Sequence, residues 1–430
     1  MSDAAGVTPD AAEIRPPQGQ ANADDVLADE TLLRAAGALR PDREGQETIA
    51  RVAWNIVCEP GDGVAGALVS ALGPVEALRV MCAGDRAFAA DAENDAARPA
   101  FGELREGRRR WTARLDRGKI HGALRTAVQC GARLLLPDDE EWPEMLADLG
   151  PHSPLALWAR GQGVALARTG VAIVGARAAS SYGEHVASVL AGELAAQGVV
   201  VISGGAYGID GSAHRAALGA DGTTVAVLAG GVDRAYPSGH SQLFARIAET
   251  GAVVSELPCG STPTRWRFLA RNRVIGALAA ATVVVEAGWR SGSLNTAGHA
   301  ATLGRPLGAV PGSVLSSMSA GCHRLLREYD ARCVTSAADV CELIGERALA
   351  SASTDHADAD LALLRDALSR RAACSVEELA RRSGLSRRRI ETLLGMLSLE
   401  GQVTREEGGW RDRGAVRGPR TQQPDTGRDD

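Results

Sequence analysis

Short apolar runs rich in β-branched residues alternate with helix-length segments between Thr169 and about Gly345. In the first unit, VAIVGARAASSYG, the run 171–174 reads as a buried strand, Gly175 ends it, and Ser180 or Ser181 can cap a helix over about 182–197. This alternation predicts right-handed βαβ units and a parallel sheet covered on both faces. The predicted strands are 171–174, 199–202, 223–228, 252–257, 282–287 and 307–310.

The pattern changes on either side of this α/β segment, and the changes predict further domains. Residues 1–45 lack a sustained period and are expected to form a disordered leader, and 46–130 show helical spacing with Gly-bearing turns. The α/β segment with its edge strands takes 131–346, a linker 347–359, and a polar, disordered tail 413–430. Residues 360–412 predict a winged helix-turn-helix, with Arg387, Arg388 and Arg389 opening its third helix, where either DNA or a partner protein can bind.

Composition limits the kinds of binding partner and the cellular location that we expect for this protein. The formal charge of −6 leaves no global basic field, so any nucleic-acid contact requires a local cluster of cations, and with Lys119 as the sole lysine these are arginines. The eight cysteines form no C-x-x-C pair, which favours reduced structural thiols over zinc or disulfides. The chain shows neither a signal peptide nor an uninterrupted apolar stretch of membrane-spanning length, so we expect an intracellular protein without membrane contact.

Glycines and small hydroxyl residues follow several predicted strands. In a parallel sheet such loops gather at the carboxyl edge, where ligands bind. We therefore expect a phosphate-binding rim to which a helix N-terminus and free backbone amides contribute. The loop residues assigned to it are Gly175, Arg177, Ser203, Gly204, Gly205, Ser291 and Ser293.

A further segment carries arginines and an aromatic ring, which most of the glycine-rich loops lack. Arg265 comes three residues before a helix predicted over 268–280, and Phe268, Arg271, Asn272 and Arg273 lie at the start of that helix. Cations that track phosphates, beside a ring that stacks on a base, suit single-stranded nucleic acid. The alternative is structural: Phe268 lies in the core and the arginines pair with acids such as Glu256 or Glu286.

Motifs for catalysis are scarce. G-x-S-x-G, H-E-x-x-H and the P-loop pattern do not occur in the sequence. Asp210 and His214 are four residues apart on a predicted helix, where we expect Asp210 as an N-cap and His214 as a packed side chain. We therefore predict no catalytic residues, no metal and no cofactor.

Taken in order, the motifs VAIVGARAASSYG, VVVISGGAYGIDGSAHRAAL, VAVLAGGVDRAYPSGH, FLARNRVIGALA, VVVEAGWRSGSLNTA and GCHRLL resemble the DprA/Smf family of DNA-processing proteins. The resemblance implies an extended Rossmann-like domain, an N-terminal helical domain of the SAM or helix-hairpin-helix kind, and a C-terminal winged helix. It also implies binding of single-stranded DNA, dimerisation, and loading of the RecA recombinase during natural transformation. By position, Arg177 resembles the family's phosphate-gripping arginine, and Arg265 and Phe268 its basic and base-contacting pair.

We therefore expect a cytoplasmic, homodimeric protein that binds single-stranded DNA without catalysis, protects it and helps to load RecA. One alternative is a nucleotide or nucleoside-phosphate hydrolase that uses the same pocket, although 290–296 lack the catalytic glutamate of related nucleotide-cleaving enzymes. A second alternative is a transcription factor that acts through the helix opened by Arg387 to Arg389.

Overall fold

The computed structural model describes residues 22–83, 101–345, 357–369, 372–399, 402–406 and 408–413. These residues belong to two compact units, which divide after Leu349. The first contains a helical module and a nine-stranded sheet with its helices, and the second contains the predicted winged helix.

The helical module begins earlier in the chain than predicted. Its helices are α1 (Ala23–Leu27), α2 (Glu30–Leu39), α3 (Gly45–Val57), α4 (Gly63–Leu72), α5 (Pro74–Cys82), α6 (Phe101–Thr112) and α7 (Arg117–Cys130). The expectation of a disordered leader over 1–45 is therefore wrong from Ala23 onward, and its first 21 residues lie outside the described chain. Two physical causes order this segment: Asn22 and Asp29 cap the two helices, and Val26 and Leu32 are buried in the module's core.

The sheet has the order β1-β2-β6-β5-β4-β3-β7-β8-β9. Its strands are β1 (Arg133–Leu135), β2 (Leu157–Gly161), β3 (Gly170–Val174), β4 (Val200–Ser203), β5 (Thr224–Val227), β6 (Ala252–Ser255), β7 (Ala281–Val284), β8 (Leu307–Ala309) and β9 (Arg332–Cys333). Neighbouring strands are parallel throughout the run β6, β5, β4, β3, β7, β8 and β9. Strands β2 and β1 add an antiparallel edge beside β6. The parallel Rossmann-like core is thus confirmed, with the segment before it forming edge strands as expected.

Each parallel strand is followed by a helix. These helices are α8 (Ser181–Ala196), α9 (Ile209–Gly219), α10 (Ser241–Thr250), α11 (Arg265–Leu278), α12 (Ser293–Thr302), α13 (Ala320–Glu328) and α14 (Ala337–Ile344). Three 3₁₀ helices span Glu144–His152, Gly163–Leu166 and Ser238–His240.

Both faces of the sheet are covered, as alternate residues of β5 show. Ala226 belongs to the apolar cluster that contains Phe244 of α10. Val225 and Val227 belong to a different cluster, which contains Val274 of α11. The first cluster continues into the helical module, where Trp158 of β2 donates to the Asn55 amide oxygen at 3.0 Å. Strands buried on both faces explain why the sequence shows continuous apolar runs rather than strict alternation.

The second unit has the expected winged-helix elements. They are α15 (Ala357–Ala367), α16 (Val376–Ser383), α17 (Arg387–Leu399), and a hairpin of β10 (Val403–Glu406) and β11 (Gly409–Asp412). Ser375 caps α16, its hydroxyl accepting from the Glu378 amide at 3.2 Å. Most of the predicted linker lies outside the described residues, although its last three residues open α15, and the predicted tail beyond Arg413 lies outside them entirely.

All eight cysteines are free thiols. Among the described helices none alone has the length and apolarity to cross a membrane, and only the pair α4 and α5, bent by 115°, meets both criteria when taken together.

Candidate nucleic-acid interface

A groove of about 150 Å³ opens at the carboxyl end of the parallel strands, where a ligand was expected from the sequence. The loop after β3 and the first half of α11 form two of its sides, and the loop before α12 forms a third. Its lining includes Gly175, Arg177, Phe268, Arg271, Ser291 and Ser293. Residues assigned from distant parts of the sequence therefore meet at one place.

The exposed feature of this groove is a cation over an aromatic ring. The Arg177 guanidinium carbon lies 4.6 Å from the centre of the Phe268 ring, which is within the range of a cation–π contact. Arg177 is exposed and Phe268 is half-buried. The structural alternative of a fully buried Phe268 is therefore wrong.

Helix α11 begins three residues before the predicted start, at Arg265, because the Thr264 side chain caps it by accepting from the Arg267 amide. Arg265 thereby becomes an exposed helical residue one turn before Phe268, and residues three apart are neighbours on a helix surface. Arg265 is thus a neighbour of Phe268 on the surface of α11, whereas Arg177 contacts the Phe268 ring itself.

Arg271 has a different environment, because its side chain is buried beneath the groove. It donates to the Gly204 carbonyl at 2.8 Å and to the Val227 carbonyl, and its charge faces that of Asp210. Burial lowers the pKa of Arg271 to about 10, so the side chain is still a cation at neutral pH. This arginine joins the loop after β4 to the end of β5, and it places a positive charge beneath the groove.

Asn272 and Arg273, the rest of the R-N-R segment, are also buried. Asn272 donates to the Gly292 carbonyl at 3.3 Å, which fixes the start of α12. Arg273 pairs with Glu256 at 2.5 Å, as the structural alternative proposed for the arginines. The assignment of Arg273 as a direct nucleic-acid contact does not fit its burial and its ion pair, whereas Asn272, although 8% exposed, still lines the groove.

The loop after β4 is likewise internal. The Ser203 hydroxyl donates to the Ile173 carbonyl at 2.6 Å, and Gly205, with φ +69°, packs where a Cβ would overlap Phe244. The Gly204 amide donates to the Asp210 carboxylate at 3.2 Å. Ser203, Gly204 and Gly205 are therefore buried within the protein, and the lining of the groove does not include them.

Asp210 is not the N-cap that was expected from the sequence, because Gly208 holds that position. Its carboxylate also accepts from the Ala206 amide at 3.3 Å. Burial raises the pKa of this carboxyl. His214 is fully buried, as expected.

The N-terminus of α8, where a phosphate was expected, is occupied by a side chain of the protein. The buried Glu286 carboxylate accepts from the Ser180 amide at 2.9 Å and from the Ser180 hydroxyl at 2.6 Å. An anion at a helix N-terminus is stabilised by the helix dipole, and here that anion is the carboxylate. The place expected for a phosphate at this helix is therefore taken by a carboxylate.

One aromatic residue of the site was missed. Tyr236 is 49% exposed, and its ring centre lies 5.4 Å from that of Phe268. It belongs to the loop AGGVDRAYP after β5, so its place at a strand end was a usable signal.

Fold and site together define a class: a Rossmann-like α/β protein with an arginine–aromatic groove at the carboxyl edge of its sheet, preceded by a helical module and followed by a winged helix. Residues 133–345 match the family model of DNA recombination-mediator protein A, and 348–409 match that of the DprA winged helix domain. The chain is 44% identical over 374 residues to the putative DNA processing protein DprA of Mycobacterium tuberculosis, covering 83% of this chain and 92% of that protein. The chain therefore belongs to the DprA family of DNA-processing proteins.

Solved structures are also similar. DNA processing protein A from Streptococcus pneumoniae matches with a TM-score of 0.54 and 29% identity, over 68% of this chain and 96% of that one. DNA processing protein A from Helicobacter pylori, solved to study its single-stranded DNA binding mode, matches with a TM-score of 0.45 and 30% identity, over 49% of this chain and 93% of that one.

Proposed function

We propose that this protein binds single-stranded DNA in the groove between the loop after β3 and helix α11. The observation that carries the proposal is the exposed Arg177 guanidinium over the half-buried Phe268 ring, at 4.6 Å. Arg177 and Arg265 would contact phosphates, and Phe268 and Tyr236 would contact bases.

The arrangement favours a single strand over a duplex. Aromatic side chains stack on bases only where the bases are unstacked from their neighbours, and the energy gained is largely independent of sequence. Phe268 lies at the groove, and beside it the ring of Tyr236 is about half exposed. An aromatic pair of this kind offers a stacking surface that a closed duplex cannot use.

We further propose that binding proceeds without catalysis. Asp210, an acidic side chain that lines the groove, is already engaged by the Gly204 and Ala206 amides. Glu286 at the N-terminus of α8 opposes the alternative of a nucleotide hydrolase, because a carboxylate occupies the place where a nucleotide phosphate would bind.

Family membership supports a role in recombination. We propose that the protein acts in the cytoplasm as a homodimer, protects incoming or processed single strands, and helps to load a RecA-type recombinase on them. The matching family model, that of a DNA recombination-mediator protein, supports this role.

The test is an anisotropy titration of the full chain with a labelled single strand and with a duplex of the same length. We expect tighter binding of the single strand, and about fivefold or greater weakening by Phe268→Ala, in line with the loss of one stacked base. Arg125→Ala is the control, because Arg125 is an exposed arginine on α7 of the helical module. Equal affinity for both DNA forms, or unchanged binding by Phe268→Ala, would contradict the proposal.

A further inference from the structure

An exposed indole lies just beyond the groove, in the loop between β7 and α12. Trp289 is 56% exposed, although a large apolar side chain in water is unfavourable. It stands two residues before Ser291, which lines the groove, so the two Cα atoms are at most about 7 Å apart. A polynucleotide that leaves the groove past Ser291 would meet this indole within a nucleotide or two.

Cations accompany the ring, as they do at Phe268. The guanidinium carbon of Arg324, on α13, lies 5.4 Å from the centre of the Trp289 ring. Arg324 also pairs with Glu328 at 2.7 Å, an exposed pair one helical turn long that orients the guanidinium. Arg290, the next residue after Trp289, is exposed. Trp289 and Arg324 thus repeat the chemistry of Phe268 and Arg177.

Backbone hydrogen bonds fix the loop that carries Trp289. The Ser291 amide donates to the Gly288 carbonyl at 3.0 Å and closes a turn around the indole. Ala287 comes just before Gly288. Its amide donates to the Met318 carbonyl at 2.8 Å, and its carbonyl accepts from the Gly321 amide at 2.7 Å. The ring is therefore held on a rigid turn, which lowers the entropy lost when a ligand binds.

The order of the strands joins this place to the groove. Strand β7 lies between β3 and β8, so the loop after β7 neighbours the loop after β3, which carries Arg177. Because both loops leave the carboxyl edge of the sheet, cations and rings lie in succession along that edge.

We propose that Trp289, with Arg290 and Arg324, forms a second base-stacking subsite for single-stranded DNA. The subsite extends the path that begins at Arg177 and Phe268, and it rests on the proposed function of that groove. It would bind the strand through one stacked base and through phosphates paired with the arginines.

A protein partner is the competing occupant of this surface. The loop between β8 and α13 carries Val314 and Leu315, which are 86% and 93% exposed, and exposed aliphatic residues are typical of protein interfaces. The cations beside the indole and its continuity with the groove favour DNA. The experiment below separates the two.

The test measures affinity against oligonucleotide length for the full chain, using labelled dT oligomers from the shortest that binds upward. We expect Trp289→Ala to equal the wild type on the shortest oligomers and to bind about fivefold or more weakly once the strand is long enough to reach the subsite. Trp289→Phe keeps a stacking ring and should retain most of the affinity. Phe268→Ala should weaken binding at every length.

The oligomeric state of each variant is measured in parallel by sedimentation. Equal affinity of Trp289→Ala and the wild type at every length overturns the second subsite while leaving the first intact. A change of oligomeric state in Trp289→Ala, with DNA affinity unchanged per protomer, also overturns it and assigns the surface to a protein contact. A wild type that binds no oligomer contradicts the proposed function itself, and the subsite with it.

Discussion

Two arginines of the groove differ in role: Arg271 is structural, and Arg177 is a candidate for recognition. Arg271 is 7% exposed and donates to backbone carbonyls in the loop after β4 and at the end of β5, whereas Arg177 is exposed over the Phe268 ring. Removing a buried, bonded cation leaves uncompensated partners and costs about 3–5 kcal/mol, whereas removing an exposed one costs little stability. Changes at Arg177 therefore report on binding, and changes at Arg271 report on folding.

His214 is a buried side chain whose titration should be visible in stability. Its Nδ1 lies 2.7 Å from the Thr224 hydroxyl, which itself donates to the Val201 carbonyl, so Nδ1 carries the proton of the neutral ring. Protonation would place a second N–H on Nε2, a buried atom that has no hydrogen-bond partner among the described residues. Burial lowers the pKa of His214 to about 3.

The unfolded chain, with a histidine pKa near 6.5, takes up a proton below that pH before the folded chain does. We therefore expect stability to fall as pH decreases from about 6.5 toward 3, and His214 to contribute a loss of about 1.4 kcal/mol per pH unit. Urea unfolding of the wild type and of His214→Gln at several pH values checks this. The stability difference between them should shrink by that amount per unit, and parallel pH profiles would rule out His214 as the source.

At the scale of elements, α11 is the helix that assembles the site. Its first turn exposes Arg265 and presents Phe268 to the groove, and its residues from 271 onward are buried. The helical module fixes this first turn through an ion pair between Arg267 and Glu59, at 3.0 Å. The turn between α3 and α4 therefore contributes to the position of the recognition residues.

That turn depends on Gly61. Its φ is +79°, and a Cβ there would lie 2.6 Å from Nε of the buried Arg273, whose partner Glu256 also accepts from the Gly61 amide. We expect Gly61→Ala to destabilise the protein by about 1–3 kcal/mol, because the positive φ and the overlap both disfavour a side chain. Chemical denaturation measures the change.

Gly37 provides the matched control, since it lies inside α2, has no positive φ, and leaves open space among the described residues where a Cβ would lie. Gly37→Ala should stabilise the protein by about 0.5–1 kcal/mol through helix propensity. Equal effects of the two substitutions would show that the turn at Gly61 is not constrained.

At the scale of the whole molecule, the two units have separate roles. The groove, its arginines and its rings all lie in the first unit. In the second unit Arg387 pairs with Glu377 and Arg389 with Asp360, both at 2.8 Å, so two of the arginines at the start of α17 are already partnered. This pairing weakens the hypothesis that the winged helix is the main DNA-binding element.

Removing residues 346–430 should therefore leave affinity for single-stranded DNA within about twofold of the full chain, because every contact proposed for the groove remains. Anisotropy titration of the truncated chain measures this, and its circular dichroism confirms that it is folded. Loss of binding in a folded truncation would instead favour the alternative of a transcription factor that acts through α17.

The fold was largely predictable because its strands are continuous β-branched runs that are buried on both faces, such as 171–174 and 199–202. Helices α1 and α2 were missed because their apolar residues are interspersed with Ala and Asp, although Val26, Leu32 and Ala36 are buried. Short amphipathic helices depend on tertiary packing more than on their own composition.

The site was predictable only in part. Arg177 lies over the Phe268 ring, and Arg265 is an exposed residue one helical turn before Phe268, while the binding of nucleic acid by these residues stays a prediction. Other candidate groups form hydrogen bonds within the protein to residues that are distant in sequence. Glu286 lies 106 positions from Ser180, and Arg271 lies 67 positions from Gly204. A single sequence gives no measure of such contacts, so free amides and structural arginines were both assigned to the ligand.

The central claim is that Arg177 contacts a phosphate of a single strand, and the salt dependence of binding tests it most directly. Each phosphate contact on a single strand contributes about 0.7 to the slope of log affinity against log salt. Arg177→Ala should therefore bind more weakly than the wild type and with a slope shallower by about 0.7, while Arg125→Ala keeps both values. Unchanged affinity and unchanged slope in Arg177→Ala would contradict the account.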